Sequence, residues 1–238
     1  MKQLACIFTF TMGHLAENLL KIRDKMAVTA AGCGRNVNDI NLVAVSKTFP
    51  ASAIREAFLA GQRCFGENYA QELRDKSSQL ADLEINWHFI GHLQKNKVKY
   101  VAPVASVVET IDSAEIANEL AKRSKTKVGC LIEINTGGES SKYGTNENNY
   151  IALAKHIGSL PNLELRGLMT IPPYEENPEK SRPYFQKLKK LLTRLGEELS
   201  PATPFTQLSM GMSHDFEVAI EEGATIVRIG TAIFGGRI

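Results

Sequence analysis

The sequence predicts an α/β fold, a (β/α)8 TIM barrel in a single domain with an extra N-terminal helix. Three observations carry this reading. Short apolar runs alternate with helical patterns eight times from Leu42 onward, at spacings of roughly twenty to forty residues, the interval a βαβ unit needs. The length of 238 residues suits such a barrel, and no linker or compositional shift divides the chain. The first run, Leu42-Val43-Ala44-Val45, is apolar at consecutive positions, as in a parallel strand buried on both faces.

Composition excludes several function classes. At 43% hydrophobic and 23% charged, the chain reads as soluble and globular. A formal charge of +2 is too small to imply a nucleic-acid or membrane-surface partner. Cys6, Cys33, Cys64 and Cys130 are widely spaced, without a CxxC pair or a neighbouring His cluster. This argues against zinc and a disulfide framework and fits the reducing cytoplasm. Residues 1–13 form an apolar, irregular leader, lacking the basic region and cleavage site of a signal peptide. Residues 14–238 are expected to form the single domain.

Leu15, Leu19, Ile22, Met26, Ala30 and Cys33 form one helical stripe that ends near Gly32 and Gly34. Strand one is Leu42–Ser46, followed by a helix over Ser52–Ala60 closed by Gly61. Arg63–Gly66 is a short strand two, and Glu67–Leu80 is read as helical. Trp87–Ile90 is strand three, with a basic helix opening at Gln94. Ser106–Thr110 is strand four, and Asp112 or Ser113 caps a helix through Lys125. Val128–Asn135 is strand five, Asn146–Gly158 a helix and Leu163–Met169 strand six. Asn177 and Pro178 open a long helix whose apolar face is Phe185, Leu188, Leu191, Leu192 and Leu195, with Pro183 expected to kink or delay it. Phe205–Ser209 is strand seven, and Ser213 is expected to cap the helix that ends at Gly223. Ile226–Ile229 is strand eight, followed by a short segment from Thr231.

Every strand of a parallel barrel ends at one mouth, where such folds place their ligands. Lys47 leaves strand one there. A lysine beside an apolar core loses hydration, so its neutral, nucleophilic form is easier to reach. On its own a strand-end lysine is more often merely solvated. Two phosphate-cradle patterns change that balance: Leu208-Ser209-Met210-Gly211-Met212-Ser213 after strand seven, and Arg228-Ile229-Gly230-Thr231 out of strand eight. Singly each is an ordinary cap and turn, but barrels often hold phosphate with these two loops. A Schiff-base lysine facing a phosphate cradle suits pyridoxal 5'-phosphate (PLP), which carries an aldehyde and a phosphate on one ring. Arg228, always charged and donor-only, would favour an unprotonated pyridine nitrogen. His88 reads as an acid-base candidate or a hydrogen-bonded barrel residue, and Ser140–Gly144 as a plain loop or a lid.

Six motifs now carry a resemblance. They are Ala44-Val45-Ser46-Lys47, Phe65-Gly66-Glu67-Asn68-Tyr69, Trp87 through Lys97, Arg166-Gly167-Leu168-Met169, Leu208 through Ser213, and Val227 through Gly235. In this order, from about Leu42 to Arg237, the chain resembles the pyridoxal phosphate homeostasis protein family (the YggS/PROSC type). The resemblance implies a fold similar to the barrel domain of alanine racemase and a Schiff base on Lys47. It places the phosphate on Ser209, Gly211, Ser213, Gly230 and Thr231, with Arg228 at the pyridine nitrogen. Asn68 would lie near the ring hydroxyl, and Met169 against the ring. It implies PLP as cofactor, PLP-dependent apoenzymes as partners, and a monomer or weak dimer.

Three activities compete. The first is PLP carriage and homeostasis without substantial turnover. The second is a small racemase-like enzyme, and the third a cofactor-free, aldolase-like Schiff base with a sugar phosphate. Racemisation needs an acid and a base on opposite faces of the substrate. Alanine racemase takes one of them from a domain beyond its barrel, and this sequence leads us to expect no such domain. The expectation is therefore a carrier, not an enzyme, with no catalytic residues and no metal site.

Overall fold

The structure is a computed structural model that describes residues 13–139, 143–202 and 204–236. It begins with α1 (His14–Gly32), which is followed by β1 (Asn41–Val45), α2 (Ala51–Leu59), β2 (Cys64–Glu67) and α3 (Ala70–Gln79). Next come β3 (Asn86–Phe89), a short α4 (Val98–Val101), β4 (Val107–Ile111), α5 (Ala114–Arg123) and β5 (Val128–Glu133). The remainder is α6 (Tyr150–Gly158), β6 (Leu163–Met169), α7 (Arg182–Leu199), β7 (Gln207–Ser209), α8 (Phe216–Glu221), β8 (Ile226–Ile229) and α9 (Thr231–Phe234). The eight strands close in sequence order, every pair parallel. β1 meets β8 with Val43 opposite Arg228 and Ala44 opposite Ile229. The expected (β/α)8 barrel is the observed fold.

Strand alternation divides two cores. Ala44, Phe65, Trp87, Phe89, Val108, Cys130, Ile132, Leu168, Val227 and Ile229 pack with the apolar faces of the helices. Val43, Leu131, Met169 and Ile226 form the barrel interior, with Cys64 against them. Consecutive apolar residues in β1 thus serve both cores, as burial on two faces requires. The stripe on α1 is buried from Leu15 to Ala30, whereas Cys33 is exposed beyond the helix end. α1 packs on α2, α8 and α9, anchored by Asn18 Nδ2 to Ile233 O (3.0 Å) and Arg35 Nη1 to Ile220 O (2.7 Å). The last barrel helix, α9, is only four residues long, and α1 covers the seam it leaves.

Several boundaries differ for local reasons. Glu67 is the last residue of β2, not the start of a helix, because its carboxylate is captured by a lysine behind the sheet. The region after Gln94 is a 3-10 turn, Lys95–Lys97, running into α4. The side chain of Asn146 accepts the amides of Asn148 and Asn149, which delays α6 to Tyr150. Asn177 caps a 3-10 turn over Pro178–Ser181, and Pro183 falls in the first turn of α7, where its missing N–H costs nothing. Ser213 does not cap α8: the helix starts three residues later, and Asp215 Oδ1 turns back to the Met212 amide (2.7 Å). Residues 1–12 of the leader and Ser140 to Lys142 of the candidate lid lie outside the described residues. No helix among the described residues is long and apolar enough to cross a membrane.

Candidate functional site

Lys47 follows β1 at the carboxyl end of the barrel and is half-buried. Val43 faces the interior, and Ser46 faces the opposite way, towards α3. Lys47 itself lies two residues past the last residue of β1. The backbone on either side of it is pinned. Lys76 Nζ, on α3, donates to Ser46 O (2.8 Å), Glu67 Oε1 (2.8 Å) and Glu72 Oε2 (2.7 Å). Ser46 Oγ donates to Glu67 Oε1 (2.7 Å), and the Thr48 amide donates to Glu72 Oε2 (2.9 Å). Thr48 itself has φ 68°, a left-handed conformation that costs a β-branched residue on the order of 1–3 kcal/mol. Burial pushes the Glu67 carboxyl above its ordinary range against the pull of Lys76. Partial burial opposes ionisation of Glu72 too, but the bonds from Lys76 and the Thr48 amide hold it below that range.

The loops after β7 and β8 are joined to each other. Met210 N–H donates to Ile226 O (3.1 Å), Arg228 N–H to Gly211 O (3.0 Å), and the Ala232 amide to Ser213 Oγ (3.4 Å). Gly211 has φ 89°, and a Cβ there would stand 2.5 Å from the Cβ of Ala219, so only glycine fits. Gly230 borders β1, since its Cβ would lie 3.3 Å from that of Val45. The loops therefore face the end of the strand that carries Lys47. Thr231 is exposed and Ser213 half-buried. Together they present hydroxyls and turn amides to one place, a donor set suited to phosphate.

Below the mouth a charged chain crosses the barrel interior. His88 Nδ1 bonds Glu109 Oε1 (2.6 Å), and Ser209 Oγ donates to Glu109 Oε2 (2.5 Å). Arg228 donates through Nη1 to Ser209 Oγ and through Nη2 to Thr170 O (2.8 Å), with Nη1 3.7 Å from Glu109 Oε2. All four side chains in this chain are buried. Burial works against the charge of Glu109, but His88 and Arg228 hold its carboxyl below the usual range. Burial likewise opposes the His88 cation, while contacts with Cys64 and Glu109 raise its pKa to about 9. Burial pushes Glu133, on β5, up to about 7, assisted by Asp112 and opposed by Arg228.

Comparison with known proteins gives this geometry its context. The family described as "Alanine racemase, N-terminal domain" matches residues 13–238. A pyridoxal phosphate homeostasis protein of Aquifex aeolicus is 47% identical over 227 residues, covering 94% of this chain and 99% of its own. The chain belongs to this family. A Pseudomonas aeruginosa member is 44% identical over 229 residues, covering 95% of this chain and 97% of its own. PipY of Synechococcus elongatus is known both without PLP and with PLP bound. The PLP-bound form superposes with a TM-score of 0.80 at 31% identity, covering 93% of this chain and 100% of its own.

Two features of this member's mouth fit the cofactor its relatives are named for. Asn68 Oδ1, just past β2, and Glu133 Oε2 are buried without a hydrogen-bond partner among the described residues. Buried orphans of this kind call for a ligand or ordered solvent. Gly91 presses on the Asn68 backbone so tightly that a Cβ would sit 2.1 Å from its carbonyl oxygen. The donor-rich loops after β7 and β8 complete the fit.

The residues expected from the sequence do not all lie at one level. Lys47, Asn68, Gly211, Ser213, Gly230 and Thr231 stand at strand ends around the mouth. Met169 is fully buried among Val43, Leu131 and Ile226, forming the apolar floor. Ser209, expected on the phosphate, lies lower: its hydroxyl is buried and bonded to Glu109 and Arg228. Arg228 is likewise held at both its terminal nitrogens. Sequence reasoning missed Glu109, Glu133, Thr170 and the Lys76 clamp. A signal existed for two of them, because Glu109 is a carboxylate within β4 and Glu133 is one at the end of the otherwise apolar β5. The clamp had only the (i, i+4) spacing of Glu72 and Lys76.

Proposed function

We propose that this protein binds pyridoxal 5'-phosphate as a Schiff base on Lys47 and serves intracellular PLP homeostasis as a carrier without substantial turnover. The observation that carries the reading is the placement of Lys47 at the end of β1, next to the linked loops after β7 and β8. When bound, the cofactor supplies an aldehyde for the lysine amine and a phosphate for anchoring. Gly211, Ser213, Gly230 and Thr231 would take the phosphate, and Asn68 the ring hydroxyl. Met169 would support the ring from below. Arg228 would stand at the pyridine nitrogen, oriented by Ser209 and Thr170. A guanidinium there cannot give the ring a proton as a carboxylic acid would, which suits storage better than electron withdrawal.

Residues 14–238 would form the PLP-binding domain and residues 1–13 a leader. Cys33, Cys64 and Cys130 are free thiols, in keeping with a reducing cytoplasm. PLP-dependent apoenzymes are the recipients we propose, with the protein acting as a monomer or weak dimer. Absorption titration with PLP tests the reading. Wild-type protein should gain an imine band that Lys47→Ala lacks, and a panel of amino acids should give no steady-state turnover. Robust racemisation or decarboxylation would favour the enzyme instead.

A further inference from the structure

Glu133 ends β5, an otherwise apolar strand, and is 7% exposed. Leu131, two residues earlier, lies in the barrel interior, whereas Cys130 and Ile132 pack with the helices. Strand alternation therefore turns the Glu133 side chain into the barrel, level with Met169, its partner on β6. The turn after β5 folds back onto it. The Thr145 amide donates to Glu133 O (2.8 Å), and a Cβ on Gly144 would stand 3.2 Å from Glu133 Cγ. Oε2 is sealed from solvent and receives no hydrogen bond among the described residues. Arg228 is engaged elsewhere: its guanidinium donates to Ser209 and Thr170 and pairs with Glu109. An oxygen with neither water nor a donor holds a negative charge poorly, whereas a carboxylic acid tolerates the site and can itself donate a hydrogen bond.

We propose that Glu133 serves bound PLP as a neutral carboxylic acid, donating a hydrogen bond to one of the cofactor's acceptor atoms, so that the protein holds PLP more tightly in mildly acidic than in alkaline solution. This role rests on the PLP-binding reading proposed above. Near neutral pH the cofactor offers acceptors: phosphate oxygens, the ring oxygen and, opposite Arg228, an unprotonated ring nitrogen. A carboxylate beside them would repel, whereas an acid complements them. Burial lifts the Glu133 carboxyl to about 7, with Asp112, just past β4, assisting and Arg228 on β8 opposing. Asp112 has His92 Nδ1 at 3.6 Å, and Tyr143 stacks on the His92 ring at 3.6 Å. Glu109 lies lower on β4, and Lys47 follows the end of β1. Since PLP selects the protonated form, affinity is full below about 7 and falls as pH rises through that value.

The test compares PLP dissociation constants of wild type and Glu133→Gln, by absorption titration from pH 6 to 9. The glutamine amide donates as the acid does, but at every pH, and the titration of Lys47 and of PLP itself cancels in the ratio. Wild type and variant should bind alike at pH 6, and the wild-type constant should rise relative to the variant's by about tenfold or more at pH 9. Glu133→Leu, without a donor, should bind about tenfold more weakly than wild type at pH 6, and it becomes the pH-independent reference if Glu133→Gln does not fold. In the cofactor-free protein, the infrared difference between wild type and variant should show a carboxylic-acid carbonyl band at pH 6 that gives way to carboxylate as pH rises through about 7. This second measurement needs no cofactor, so it decides the protonation of Glu133 even if Lys47 forms no imine, a result that would sink the carrier reading instead. A ratio that does not change with pH, or a carboxylate already present at pH 6, would overturn the proposal.

Discussion

At the scale of single residues, the site depends on charges that cannot be removed one at a time. Arg228, Glu109 and His88 are buried together and hold each other's charge states. Removing one partner strands another charge in a medium that solvates it poorly, commonly at about 3–5 kcal/mol. Arg228→Leu should therefore lower the denaturant midpoint of the cofactor-free protein by an amount of that order. An unchanged midpoint would mean that Glu109 is satisfied by His88 and Ser209 alone. The sequence made Arg228 conspicuous, since it sits beside a glycine-containing loop at the end of an apolar strand. It left Glu109 unnoticed, because a lone carboxylate in a strand gains meaning only when the partner strands are placed. Ser209 reads from the sequence as a phosphate ligand because its hydroxyl stands beside a glycine loop; in the structure that hydroxyl is bonded to Glu109 and Arg228.

At the scale of elements, the junction of β1 with α3 sets where the lysine emerges. Lys76 reaches across from α3 to the Ser46 carbonyl and to two glutamates, one of which holds the Thr48 amide. Lys76→Met should leave the buried Glu67 without its cation, held only by the Ser46 hydroxyl, and loosen the backbone at Lys47. The imine band at a fixed PLP concentration should fall, and stability should drop by about 3 kcal/mol. A loss of stability with an unchanged band would show that the clamp supports the fold but not the lysine. The loop after β7 makes a second expectation: Gly211→Ala combines positive φ with a contact of 2.5 Å to Ala219. It should cost more than about 1 kcal/mol and weaken PLP binding more than binding of phosphate-free pyridoxal. Element boundaries were legible where burial has one cause, as in β6 and β8, which fall on the expected residues. They shifted where a side chain intervened: Asn146 before α6, Asp215 before α8, and Glu67 at the end of β2.

At the scale of the whole molecule, the closed barrel follows from the rhythm of apolar runs, and its interior sets how stability depends on pH. His88 binds its proton more tightly in the folded state, up to about 9. Its contribution is therefore full below the unfolded histidine range near 6.5 and is lost as pH rises through 9. Glu133 is also raised, to about 7, so its contribution declines as pH rises from the ordinary carboxylate range through 7. Glu109 is depressed, so its contribution is present above that range and lost in acid. The cofactor-free protein should be most stable in mildly acidic buffer and, with both groups counted, lose on the order of 5 kcal/mol by pH 9, as read from denaturant unfolding. A flat profile from pH 5 to 9 would contradict these assignments.

The covalent link itself is the most direct object of measurement. Protein equilibrated with PLP and reduced with borohydride should carry the pyridoxyl group on the peptide containing Lys47, with loss of the imine band. Recovery of that group on another lysine, or on none, would contradict the central claim.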